Sequence, residues 1–399
     1  MTLLSCAFTT EARIGCRSLH CSAGRREPRV KRSANTRDTS STPLKEYAMP
    51  QSPRAGRDGD VLAVVSQTGP TVEFFDAASD RHIGTVNVPD QPHELCYDPT
   101  QRLLWCTSTY QSGYYHANSG QSTELTVIDP DTRRVVEVID LAPEHGPHGL
   151  ALDTARRRLY VSVEASADRP GGVVVIDTET CRPAGRIDTD APGPHWFAID
   201  PTGTTGYATN KEAPFVSVVD LERGALTAKI EVPGSEGLAV AADGSRVFVA
   251  APYAGSVLAG AEERPDAGIQ VIDAGTASVV GTLPTENVVV PVHLTSTGRL
   301  LAGELRMASA PESALGRHAP GRLTVFSADS GEELGGVEVG HAPLTITSSP
   351  DGRLAYVACI ASSTVDVIDL ETLQLSTRLD IAKRGEAGAH GLAYVPRAA

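Results

Sequence analysis

The run Arg158-Leu159-Tyr160-Val161-Ser162-Val163, then Val175-Ile176-Asp177, then Pro194-His195-Trp196-Phe197, decides the fold. The first segment is rich in β-branched residues and alternates with period two, so it reads as a strand. The second ends on an aspartate whose carboxylate can accept backbone N–H bonds two residues on, so it reads as a strand that runs into a turn. The third opens a further apolar run behind a proline.

The same unit recurs along the chain. Its middle element reappears as Val127-Ile128-Asp129, Val218-Val219-Asp220, Val271-Ile272-Asp273 and Val367-Ile368-Asp369, with degenerate forms at Phe74-Phe75-Asp76 and Val325-Phe326-Ser327. Asp243-Gly244 and Asp351-Gly352 are hairpin-turn signals between the next two strands. Each unit therefore holds four short strands in roughly 40–50 residues, the period of a propeller blade. The middle elements number seven. The chain also begins mid-repeat: Val61–Val65 matches a second strand and His390–Val395 a first. The expected fold is an all-β seven-bladed β-propeller whose first blade is closed by the C-terminal strand. Helical stripes are absent, which argues against a helical solenoid.

Tyr160-Val161-Ser162 and Tyr356-Val357-Ala358, set in the repeated order Val-Ile-Asp, Pro-x-x-Leu, Asp-Gly, resemble the YVTN family of seven-bladed β-propellers over about residues 58–397. The resemblance implies the fold. It implies no single activity, because propellers host enzymes, binding proteins and scaffolds alike.

At 399 residues, 41% hydrophobic and 21% charged, with 37 Gly and 27 Pro, the chain has a globular composition rich in turns. Its net charge of −14 is uneven. Residues 1–48 carry nine Lys/Arg against four Asp/Glu, which leaves the rest at −19. So acidic a body argues against a nucleic-acid partner. No apolar run is long enough for a membrane helix. Residues 1–48 are expected to be a disordered basic extension, with either Met1 or Met49 as the start, and residues 49–399 the propeller. The seven cysteines form no CxxC pair and no regular framework, so reduced, mostly buried thiols are expected. A cytoplasmic location is the expectation, with a secreted or periplasmic one as the alternative.

A histidine recurs where the first strand of each blade begins, in Pro92-His93-Glu94-Leu95, Pro147-His148-Gly149-Leu150, Pro194-His195-Trp196-Phe197, Pro291-Val292-His293-Leu294 and Ala389-His390-Gly391-Leu392. Glu236 holds that place in Ser235-Glu236-Gly237-Leu238, and Leu344 holds it in Pro343-Leu344-Thr345-Ile346. First strands line a propeller's channel, so these side chains should form a ring at its mouth. Ring closure makes His390, His93, His148 and His195 neighbours, whereas His293 sits one position out of register. The second strands end on the same face and bring Glu164, Asn210, Lys211, Tyr253, Glu304 and Arg306. Irregular loops carrying Tyr114, Tyr115, His116 and His318 also open there.

Imidazoles converging without thiolates suit a divalent metal such as Fe, Cu, Zn or Mn. The plan is similar to the four-histidine iron centres of carotenoid-cleaving oxygenases. The expected ligands are His93, His148, His195 and His390, with His293 as a fifth candidate, and the expected acid–base groups are Glu236, Glu164, Glu304 and Arg306. Oxidoreductase or lyase chemistry on a small-molecule substrate leads. A metal-independent lactonase or lyase using His/Glu chemistry is one alternative. A non-catalytic propeller binding a peptide or protein partner on the loop-rich face is the other. No Gly-x-Ser-x-Gly elbow and no Gly-rich phosphate loop is present.

Overall fold

The computed structural model describes residues 58–113, 118–232, 234–252, 267–308 and 318–398. Residues 1–48, together with Tyr114, Tyr115, His116 and Tyr253, lie outside the described residues. The described chain forms seven antiparallel sheets of four strands each. Blade 1 orders as β28 (Ala389–Val395), β1 (Val61–Ser66), β2 (Thr71–Asp76) and β3 (His82–Asn87). The remaining blades follow in chain order, with innermost strands β4 (Pro92–Asp98), β8 (Leu150–Asp153), β12 (Pro194–Ile199), β16 (Leu238–Val240), β20 (Val288–Leu294) and β24 (Pro343–Ser348).

Closure is made by backbone pairing of the two ends of the described chain: Val61 lies opposite Val395, Leu62 opposite Tyr394 and Val64 opposite Leu392. The repeated aspartates cap the turns as expected. Asp177 Oδ1 accepts the Thr180 amide at 2.9 Å, and Asp273 Oδ1 accepts the Thr276 amide at 2.7 Å.

The core lies between blades. Second strands such as β9 (Arg158–Val163) are buried almost throughout, because each packs against sheets on both sides. Outer strands such as β7 (Arg134–Asp140) face solvent. Seven apolar clusters fill the gaps between successive blades. One joins Trp105 and Leu125 of blade 2 to Val161 and Ile176 of blade 3, and another joins Tyr356 and Val367 of blade 7 to Leu62 and Leu392 of blade 1. An eighth, containing Val290, Leu305, Leu344 and Ile360, fills one side of the channel mouth. The core thus converges on the axis and leaves the opposite side of the mouth to polar groups.

Candidate metal centre

Five of the seven innermost strands enter their sheets through an irregularity that aims the ring residue. The pairing of β4 with β5 (Leu103–Ser108) skips between Pro92 and Leu95, and that of β12 with β13 (Thr205–Asn210) skips between Pro194 and Phe197. A bulge of this kind re-aims side chains that strict alternation would send elsewhere. Hydroxyls on the second strands couple consecutive blades. The Glu94 amide donates to Thr107 Oγ1 at 3.1 Å, and that hydroxyl donates to the His148 carbonyl at 3.0 Å. The Gly149 amide donates to Ser162 Oγ at 2.8 Å, and Ser162 donates to the His195 carbonyl at 2.7 Å.

The four histidines of blades 1 to 4 form a continuous buried arc. Ring centroids are 3.9 Å apart for His390 and His93, 4.3 Å for His93 and His148, and 4.5 Å for His148 and His195. Each residue is at most 4% exposed, so the rings are almost wholly shielded from bulk water. Tyr110 stands edge-on to His93 and His148 at 6.3 and 5.9 Å. Ligand atoms of His93, His148 and His195 all lie within 4.8 Å of one another, and so do those of His93, Glu94 and His390.

Burial holds His93 well below its ordinary range, and the nearby His390, His148 and His195 rings and the Lys211 ammonium push it further down. His148 is lowered by burial, then by His195, Lys211 and His390. His195 is lowered by burial, then by Lys211 and His390. These three rings are therefore neutral at physiological pH, the form that ligates metals. Both ring nitrogens of His93 and of His148 lack a hydrogen-bond partner among the described residues, although the Gly146 carbonyl sits close enough to His148 to oppose its shift slightly. Buried polar atoms are rarely left in that condition. His195 differs, with Nδ1 placed 2.9 Å from Glu236 Oε2. A carboxylate on Nδ1 fixes the tautomer and puts the ring's lone pair on Nε2, as in carboxylate–histidine–metal arrangements.

The other expected residues fall into two groups. Glu236 is buried in the ring position of blade 5 and meets the arc through His195. Glu164 reaches the arc indirectly: it accepts from the Tyr110 hydroxyl at 3.2 Å and from Gln121 Nε2. Lys211 is buried beside these groups, its ammonium lowered by burial and raised by Glu164, Glu236 and Glu212. Asn210, by contrast, gives its side-chain amide to its own blade, donating to the Phe215 carbonyl and Ser217, while its Oδ1 has no hydrogen-bond partner among the described residues. Glu304 is also committed elsewhere. It accepts from the Asn287 amide and side chain at 3.0 Å and from Thr324 Oγ1 in blade 6. Arg306 is half-buried opposite Ala319 and makes no hydrogen bond or ion pair among the described residues.

His293 does not join the arc. The β20 pairing skips between Val289 and Val292, which puts Val290 in the ring position and His293 three residues further along the strand. Its Nε2 instead meets Ser348 Oγ at 2.9 Å, and burial lowers its pKa to about 4. Sequence reading also passed over Glu94. Simple alternation turns the residue after a ring histidine away from the channel, but the bulge keeps Glu94 beside His390. Its neighbours at the same position, Gly391, Gly149 and Gly237, are the signal that could have found it.

Two curated relatives share sequence with this chain, both named "Uncharacterized protein YncE". One is from Salmonella typhi and the other from Salmonella typhimurium strain LT2, each 27% identical over 228 residues. The chain is similar to YncE. The match covers 56% of this chain and 57% of those proteins, so the chain spans a little over half the length of the curated relatives it matches. No family model matches. Among solved structures, Kuenenia stuttgartiensis hydrazine synthase superposes with a TM-score of 0.56 at 16% identity, over 80% of this chain and 90% of that one, a likeness of fold alone.

Proposed function

We propose that this propeller is a metal-dependent enzyme for a small molecule, with a divalent ion held by His93, His148 and His195 and chemistry of the oxidoreductase or lyase type. The observation that carries this reading is the set of buried, neutral imidazoles whose nitrogens at His93 and His148 make no geometrically sound hydrogen bond among the described residues. A donor set of nitrogens without thiolates fits Fe, Cu, Zn or Mn. A bound ion would supply Lewis acidity, or electrons if it is redox-active.

The chain's own residues supply the rest. Glu236 orients His195 through Nδ1 and keeps that ring in one tautomer. Lys211 puts a positive charge beside the arc, which favours an anionic or electron-rich substrate. Glu164, held by Tyr110 and Gln121, would serve as the carboxylate that exchanges a proton. A cleft of about 530 Å³ lined by Tyr110, Gln111, Gln121, Ser122 and Glu124 shares Tyr110 with the arc and is large enough for a small ligand. A docking surface for a protein on this face draws less support. Among the described residues the large exposed apolar side chains lie mostly on outer strands, as Val136, Val138, Val280, Leu334 and Leu375, with Met307 the exception.

Metal analysis of protein purified without a polyhistidine tag tests the proposal. Near-stoichiometric metal is expected in the parent, and loss of it in a His148→Ala/His195→Ala double variant that still folds. Metal-free protein after reconstitution with Fe, Cu, Zn and Mn would rule the centre out.

A further inference from the structure

The two carboxylates that flank the arc are placed differently. Glu236 Oε2 lies 2.9 Å from His195 Nδ1 in hydrogen-bond geometry. At the other end Glu94 Oε1 lies 3.3 Å from His390 Nδ1, yet that nitrogen has no hydrogen-bond partner among the described residues. The pair is close without being aligned as donor and acceptor. Two ligands bound at about 2.0–2.1 Å in a tetrahedral site lie about 3.3–3.4 Å apart, so this spacing is that of co-ligands.

The surroundings make the same point. Glu94 is 5% exposed, and among the described residues its carboxylate accepts no hydrogen bond. A carboxylate so nearly buried, with no protein donor among the described residues, is costly, and a cation is a partner that offsets the cost. His390 also has an unpartnered Nε2, and both nitrogens of His93 are uncommitted. The His93 ring stands between His390 and His148, at 3.9 and 4.3 Å, so it can serve a neighbour on either side.

We propose that the arc holds a second metal position, formed by His93, Glu94 and His390, next to the three-imidazole position of His93, His148 and His195. This rests on the reading of the arc as a metal centre and adds an ion to it. The two positions differ in chemistry. Three imidazoles favour Cu or Zn, whereas two imidazoles and a carboxylate extend the range to Fe(II) and Mn. When both are filled, His93 gives one nitrogen to each ion. Its ring N–H proton passes to solvent as the second ion binds, leaving a bridging imidazolate.

Equilibrium dialysis of the full-length, tag-free protein against micromolar Zn(II) tests the proposal by stoichiometry. The parent retains two ions per chain. Glu94→Gln, which keeps the shape of the side chain and removes its charge, retains one. His148→Ala also retains one, and the combined variant retains none. A parent that saturates at one ion overturns the second position and leaves the three-imidazole centre standing. Retention of both ions by Glu94→Gln overturns it as well. A parent that takes up no ion overturns the metal centre itself. Unfolding midpoints measured on the same samples separate lost ligands from lost fold, and the parent stoichiometry decides the matter without any variant.

Discussion

Gly149 separates His148 from the backbone of the next blade, and there is no room for a larger residue. A Cβ at Gly149 would sit 2.6 Å from the His195 carbonyl oxygen and 2.9 Å from the Trp196 Cα, both backbone atoms that cannot swing away. Gly237 meets the Val290 carbonyl at 2.5 Å in the same way. Gly149→Ala is therefore expected to cost about 1–3 kcal/mol by overpacking and to displace His195 from the arc. Gly185, on an outer strand with nothing within 4 Å of its Cβ position, is the control, and its alanine variant should change stability by no more than about 0.5 kcal/mol. Urea midpoints compare the two, and equal effects would contradict the close approach. At this scale the sequence showed which blades carry a ring histidine. It did not show which side chains the bulges re-aim, because a skipped pair is a property of two strands together. Val290 for His293, and the inward Glu94, are the two consequences.

The strand–turn unit is the most legible element, because its signal is local. The Val-Ile-Asp motif names the strand and the residue that ends it, and Asp177 and Asp273 bond their turns in the structure as that motif implies. The Thr180 amide, then the Arg158 guanidinium, hold the Asp177 carboxyl down at about 2. Asp273 is lowered by the Thr276 amide and then by its hydroxyl. Such a depressed carboxyl favours the folded chain fully above the ordinary value of about 3.9, and the contribution fades as pH falls through the folded value near 2. Acid unfolding followed between pH about 4 and about 2 should accordingly be less steep for Asp177→Asn, which can no longer release that linkage. An unchanged pH profile would mean that the turn carboxylate is not protonated on unfolding. The outer strands were less legible, since β7 and its counterparts bury one residue in several and carry no firm alternation.

Across the whole molecule, the arc exists because the ring is closed. His390 reaches His93 only through the pairing of β28 with β1, and the half-repeats at the two ends of the propeller made that closure readable in advance. The division of the channel mouth was partly readable. Leu344 and Glu236 were visible as departures from histidine, but the apolar cluster of Val290, Leu305, Leu344 and Ile360 opposite the imidazoles depends on packing between blades 6 and 7. That division leaves one polar sector at the mouth, walled by Tyr110 and bracketed by Glu94 and Glu236, and its histidines could hold an ion. The direct measurement is anomalous scattering from crystals of the tag-free protein soaked in Zn(II). The expected map has a peak on the axis with imidazole nitrogens of His93, His148 and His195 about 2.0–2.1 Å away. Well-ordered crystals that show these rings hydrogen-bonded to water, with no anomalous peak among them, would contradict a metal centre.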